Sequence, residues 1–123
     1  MANATNTGFR RLVNATFFSL AGLRAAWRNE AAFRQECALA AVLTPVAFWV
    51  GQTAVERSLL IGTSWLVLIV ELLNSALESL VDRVGADHHE LSGRAKDLGS
   101  AAVFVSLALT ALVWGLIVWQ RFT

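Results

Sequence analysis

Hydrophobic positions along this chain gather into three long runs, with an amphipathic stretch ahead of them. The first run, residues 37–55, carries no charge and contains Pro45, which removes a hydrogen bond to the Ala41 carbonyl and should kink a helix there. The second, residues 58–84, is apolar in its first half and polar on one face in its second. The third, residues 98–119, carries no charge at all. Each is long enough to cross about 30 Å of hydrocarbon at about 1.5 Å per residue. Ahead of them Phe9, Leu12, Val13, Thr16, Phe17 and Leu20 repeat at helical spacing, while Arg10, Arg11, Asn14 and Ala21 fall elsewhere on the wheel. That segment, about residues 6–35, predicts a helix lying in the membrane interface; with arginines throughout and no compact apolar centre it does not read as a signal peptide. The expected fold is therefore an all-α membrane protein, one domain over residues 1–123, with an interfacial helix and three transmembrane helices.

Composition agrees. Of 123 residues 56% are hydrophobic and 15% charged, with mean hydropathy +0.56, too apolar for a soluble domain of this size. Cys37, the single cysteine, excludes an intramolecular disulfide and reads as a packing residue. The net charge of +1 says little as a total, and no nucleic-acid partner is expected; the placement of the charges says more. Arg10, Arg11, Arg24, Arg28 and Arg34 precede the first run, and Arg83, Arg94 and Lys96 lie between the second and third. Only Arg57 and Arg121 fall on the other side. The positive-inside rule then places the N-terminus and the loop 85–96 in the cytoplasm and the C-terminus outside.

Candidate chemistry lies in the second run. Glu71, Asn74, Glu78 and Asp82 stand at offsets 0, 3, 7 and 11, within an arc of about 80° on a helix. Acidic groups at bilayer depth cost about 2.5–3.5 kcal/mol each at a helix centre, so a stripe of them points to function. Counted from Ser58, Glu71 lies about 20 Å into the membrane and Glu78 about 30 Å, at the cytoplasmic boundary. Glu30, Lys96 and Asp97 are expected at the same level. Carboxylates gathered around a phosphate-bearing ligand suit magnesium, which takes one or two of them and completes its octahedron with phosphate and water. A lysine can neutralise phosphate charge, and a further carboxylate can act as base toward a hydroxyl. The bland alternative pairs Glu78 and Asp82 with Arg83 or Arg94 as interface charges. Neither a P-loop nor a Gly-x-Gly-x-x-Gly loop is present, and the adjacent pair His88-His89 lacks the spacing of a helical zinc site.

Three segments carry a resemblance. Ala25-Ala-Trp27-Arg-Asn-Glu30-Ala-Ala-Phe33-Arg34-Gln-Glu36, then Val70-Glu71-Leu-Leu-Asn74-Ser-Ala-Leu-Glu78-Ser-Leu-Val-Asp82-Arg83, then His89-Glu90-Leu-Ser-Gly-Arg94-Ala-Lys96-Asp97-Leu-Gly-Ser100 resemble, in order and spacing, the small bacterial integral-membrane diacylglycerol kinases. The resemblance runs from Gly8 to the last span. It implies a homotrimer in the bacterial inner membrane, with active sites shared between subunits, that phosphorylates diacylglycerol with ATP. Ala102, Ser106 and Thr110, at steps of four, offer a small-residue face for close helix packing. By the resemblance Glu71 is the general base, and Glu30 and Glu78 hold magnesium under the ATP phosphates. Arg11, Phe18, Asp87, His88, His89, Lys96 and Asp97 match nucleotide contacts, Phe18 standing where related sequences carry a tyrosine and so lacking the hydroxyl. Arg11, Ser19, Arg24, Phe33, Arg34, Trp49, Arg57 and Ser100 match positions along the lipid groove or its mouth, with Glu71 beside the substrate hydroxyl. Trp49 and Arg57 also suit ordinary interfacial anchoring. Asn74 and Asp82 support the site. Three other functions compete: a kinase for undecaprenol on the same fold, a proton-coupled transporter using Glu71, and a non-catalytic assembly protein. The transporter needs a polar path on both sides of Glu71, whereas residues 58–70 offer only Ser58, Thr63 and Ser64. An assembly protein leaves Glu30, Glu71, Glu78 and Lys96 unexplained.

Overall fold

The computed structural model describes residues 7–85 and 89–123. Within them the chain is all-helical: α1 Gly8–Asn29, α2 Ala31–Val50, α3 Ala54–Val84 and α4 Glu90–Phe122. At about 1.5 Å per residue α3 and α4 are about 46 and 50 Å long, well beyond the hydrocarbon thickness of about 30 Å, so their polar ends project past it. Both are long and apolar enough to cross a membrane. α2 carries Arg34, Gln35 and Glu36 in its first two turns ahead of its apolar run.

The helix boundaries differ from those of the hydropathy runs. α1 ends at Asn29, because Glu30 is extended (φ −120°, ψ 105°), and α2 starts at Ala31, so the polar turn before Cys37 belongs to α2. Arg34 braces the corner: its Nη1 donates to the carbonyls of Trp27 (2.6 Å) and Arg28 (3.4 Å), two of the carbonyls that the end of α1 leaves open. α2 continues unbroken through Pro45. At the opposite corner α3 starts at Ala54, ahead of Ser58. Thr53 Oγ1 accepts from the Glu56 N–H (3.1 Å) while Glu56 Oε1 accepts from the Gln52 N–H (2.8 Å), a reciprocal cap written in the sequence as Thr53-Ala-Val-Glu56. Gly51 is required beside it, since a Cβ there would stand 2.7 Å from Arg57 Cγ.

α3 and α4 run antiparallel with their register fixed by half-buried polar bonds. Thr110 Oγ1 donates to the Thr63 carbonyl (3.0 Å), and Trp114 Nε1 donates to the Leu60 carbonyl (3.1 Å) and Ser64 Oγ (3.2 Å). Trp65 Nε1 joins α3 to α2 through Thr44 Oγ1 (3.0 Å). In an apolar surround such bonds hold helices together where burial of hydrocarbon alone does not. Ser106 and Thr110 of the small-residue face thus pack against α3 of their own chain, while Ala102 is exposed. The buried set is small: Ala26, Phe33, Ala40 and Leu68 at one end, and Ala47, Val50, Leu60 and Ile117 at the other. Large apolar side chains cover the outside, among them Phe104 and Trp119, more than 70% exposed, as a lipid-facing surface requires. α1 buries only Ala26 and shows Phe9, Leu12, Phe17 and Leu20 outward, consistent with an interfacial helix.

Candidate active site

Glu71 is the one buried carboxylate among the described residues, with 6% of its surface exposed. α3 carries it on the face toward α2, one turn beyond Val67 and Leu68, so packing against apolar neighbours removes it from solvent. Glu30, at the α1–α2 break, and Glu78, two turns on along α3, both lie within electrostatic reach of it. Glu30 reaches the site because helix continuity fails at that residue: the extended backbone turns the chain from α1 into α2 there.

Glu78 is partnered by an amide. Asn74 Nδ2 donates to Glu78 Oε1 at 3.2 Å, the helical spacing of four placing the two side chains one above the other. Neither Arg83 nor Arg94 takes the carboxylates of the stripe among the described residues: Arg94 pairs with Glu90 (3.6 Å), and Asp82 pairs with Lys96 Nζ (2.7 Å). The hydrogen bond from Lys96 to Asp82, reinforced by the charges of Asp82 and Glu78, pushes the lysine above its ordinary range, so it stays cationic through neutral pH. That ion pair ties the end of α3 to the start of α4 and keeps the Lys96 charge within electrostatic reach of Glu78.

A cavity of about 530 Å³ opens beside the stripe, between α1 and α3. Ser19, Ala26, Asn29 and Glu30 line one wall, and Leu72, Ser75, Ala76 and Ser79 the other. Its size is in the usual range for small-molecule sites, and its walls are apolar or small-polar. Ser19 Oγ already donates to the Ala15 carbonyl (2.8 Å), so toward a ligand it could serve only as an acceptor. A metal fits the donor set in one way only. Among the described residues no three His, Cys, Asp or Glu converge as a protein cage, whereas Glu30 and Glu78, neither in an ion pair, match the one- or two-carboxylate mode of magnesium with phosphate and water completing the shell.

The remaining expected residues separate into those near the centre and those away from it. Arg11, Phe18 and Arg24 are exposed on α1, and Ser100 is exposed on α4. His89 caps α4, its Nδ1 accepting from the Leu91 N–H (3.0 Å), which leaves Nε2 for another partner. Asp87 and His88 lie outside the described residues. Phe33 is a core residue, 4% exposed, against Ala26, Ala40 and Leu68, and Arg34 is engaged at the α1–α2 corner. Trp49 and Arg57 sit at the far end of the bundle, about 21 Å along α3 from Glu71; there Trp49 meets Phe122 (5.5 Å between rings) and Arg57 lies over the Phe48 ring (5.8 Å).

Glu36 was absent from the expected site. It lies within electrostatic reach of Glu71, and its Oε2 is buried without a hydrogen-bond partner. It also lines a small enclosed space of about 20 Å³ with Ser64 and Thr110, room for one water. The signal was in the sequence: Phe33, Glu36, Ala40 and Ala47 follow helical spacing on the face of α2 that packs on α3. The apolar run that begins at Cys37 masks it, because Glu36 stands just ahead of that run.

Comparison with known proteins adds an independent line. A sequence profile described as Prokaryotic diacylglycerol kinase matches residues 17–118. Proteins named diacylglycerol kinase are similar over nearly their whole length: that of Haemophilus influenzae is 53% identical over 109 residues (89% of this chain, 92% of the relative). That of Escherichia coli K12 is 51% identical over 122 residues (99% of each), and that of Pseudomonas aeruginosa is 54% identical over 111 residues (90% of each).

Proposed function

The chain belongs to the prokaryotic diacylglycerol kinase family and is a lipid kinase, and on that premise we propose that it transfers the γ-phosphate of ATP to the free hydroxyl of diacylglycerol at the cytoplasmic face of the bacterial inner membrane. The observation that carries the reading is the buried Glu71 with Glu30 and Glu78 within electrostatic reach, beside a cavity of about 530 Å³.

Glu71 takes the proton of the lipid hydroxyl as its oxygen attacks the γ-phosphorus. The new phosphorus–oxygen bond forms as the bond to the β–γ bridging oxygen breaks, and ADP departs with that electron pair. Shielding from water keeps Glu71 from being satisfied by solvent before the hydroxyl arrives. Glu30 and Glu78 would hold magnesium, which when bound screens the negative charge of the phosphates. Asn74 fixes the Glu78 carboxylate through its amide. Lys96, on a flexible stem at Asp82, exchanges that carboxylate for a phosphate oxygen, with Asp97, Arg11, Phe18, His89 and the loop positions Asp87 and His88 around the nucleotide. Ser19, Arg24 and Ser100 border the lipid, together with Phe33, Arg34, Trp49 and Arg57, which match lipid positions in the family.

We infer a homotrimer with α2, α3 and α4 as the three spans of each chain, active sites completed by neighbouring chains, the N-terminus cytoplasmic and the C-terminus periplasmic. The exposed apolar flanks of α3 and α4 supply the surface for both lipid and neighbours. Radiolabelled phosphate transfer from ATP in mixed micelles, with diacylglycerol and undecaprenol offered side by side, tests the substrate. Label should enter phosphatidic acid; preferential labelling of undecaprenol moves the enzyme to the polyprenol branch, and no transfer to either removes the reading.

A further inference from the structure

Glycine inside a helix is unfavourable relative to alanine, so a buried one calls for a physical reason. Among the described helical glycines Gly22, Gly62, Gly93 and Gly115 have no atom within 4 Å of where a Cβ would stand. Gly99 is different. It is buried on α4, and a Cβ there would overlap Asn74 Oδ1 and stand 3.2 Å from Asn74 Cγ and Leu77 Cδ2. The Asn74 oxygen is buried with no hydrogen-bond partner, its amide nitrogen turned to Glu78. The hydrogen that replaces the Cβ of Gly99 therefore meets that oxygen, a weak C–H···O contact. Turning the amide over would set its oxygen against the Glu78 carboxylate, acceptor against acceptor, so only one orientation satisfies both neighbours.

We propose that Gly99 is a positioning residue for catalysis: by letting α4 close onto Asn74, it holds the amide in the one orientation that donates to Glu78 and so fixes the carboxylate for the metal–nucleotide complex. The inference rests on the assignment of Glu78 as a magnesium ligand. An added methyl pushes the Asn74 side chain off its rotamer, the donor leaves Glu78, and the carboxylate swings free. Residues that orient a metal ligand typically change metal affinity by about 10- to 100-fold.

The test uses full-length trimeric enzyme in detergent, with Mn²⁺ as the paramagnetic probe, titrated by electron paramagnetic resonance in the presence of a non-hydrolysable ATP analogue. Gly99→Ala should weaken Mn²⁺ binding by about 10-fold or more, and Asn74→Ala should do the same. Gly99→Ala/Asn74→Ala should be no worse than Asn74→Ala alone, because the glycine acts through the amide. An unchanged Mn²⁺ affinity in Gly99→Ala overturns the proposal, as does an additive loss in the double variant, or full recovery in Gly99→Ala/Leu77→Ala, which would make Leu77 the relevant contact. Should Gly99→Ala fail to assemble, assembly of the double variant identifies Asn74 as the obstructed group; failure of both makes Gly99 a packing residue only. Glu78→Gln runs alongside. If it leaves Mn²⁺ affinity intact, the metal assignment falls and this inference with it, whereas a loss there with none in Gly99→Ala sinks the glycine alone.

Discussion

Glu71 and Glu78 stand two turns apart on one helix, yet their surroundings differ: the first is buried against α2 and the second half-exposed beside Asn74. That difference suits different work. Glu71→Gln keeps shape and hydrogen bonding but cannot accept a proton, so turnover should fall by about 10² to 10⁴. Glu71→Asp keeps the base but withdraws it by one methylene and should retain measurable activity; ATP affinity should change little in either. Greater activity in Gln than in Asp would remove proton abstraction from Glu71. Glu78→Gln, by contrast, should lose most activity with the assembly intact, and the loss should be partly recovered by raising magnesium. Activity near wild type across a magnesium titration would remove the metal role. The polar stripe that holds them is legible from spacing, because a carboxylate is costly in an apolar run, while their separate roles rest on the family resemblance. Glu36 was not, because a carboxylate just before an apolar run reads as an interface charge until α2 is seen to begin at Ala31.

Helix ends in this protein are set by capping chemistry and backbone breaks, not by where hydropathy changes. Thr53 and Glu56 start α3 four residues ahead of the apolar stretch that defined it in the sequence. Loss of that cap should be measurable: Thr53→Ala should destabilise the folded chain by about 1 kcal/mol in a reversible detergent unfolding titration, with kinase activity unchanged because the cap is at the far end from Glu71. An effect on turnover without one on stability would contradict this separation. The α3–α4 pairing is stated by Thr110 and Trp114, whose donors reach across to carbonyls and a hydroxyl of α3. Thr110, with Ala102 and Ser106, marks a small-residue face in the third apolar run, but spacing does not show that its partner is the neighbouring helix of the same chain.

For the molecule as a whole, the basic residues are distributed unevenly. With eight of its ten basic residues grouped at one end of the bundle and two at the other, the rule of positive cytoplasmic loops predicts that Gly85→Cys and Thr123→Cys, each in a Cys37→Ala background, label from opposite sides of intact cells with an impermeant thiol reagent. Labelling of both from outside would break the odd number of crossings. The proposed sharing of active sites between chains is testable in the same way: mixing Glu30→Gln chains with Glu71→Gln chains should restore part of the activity if neighbouring chains supply the two residues, and restore none if each site belongs to one chain.

Sequence alone determined the helical architecture, its apolar exterior, the polar stripe and the family, because each is a periodic or local property: spacing, composition and motif order are read along the chain without knowing what touches what. Tertiary structure decided which charges are spent on structure. It gave Asp82 to Lys96 and Arg34 to the end of α1, left Glu78 with an amide instead of a cation, and separated Trp49 and Arg57 from the carboxylates. Pairing depends on which long side chains reach one another across helices, and reach is fixed only when the helices have a register.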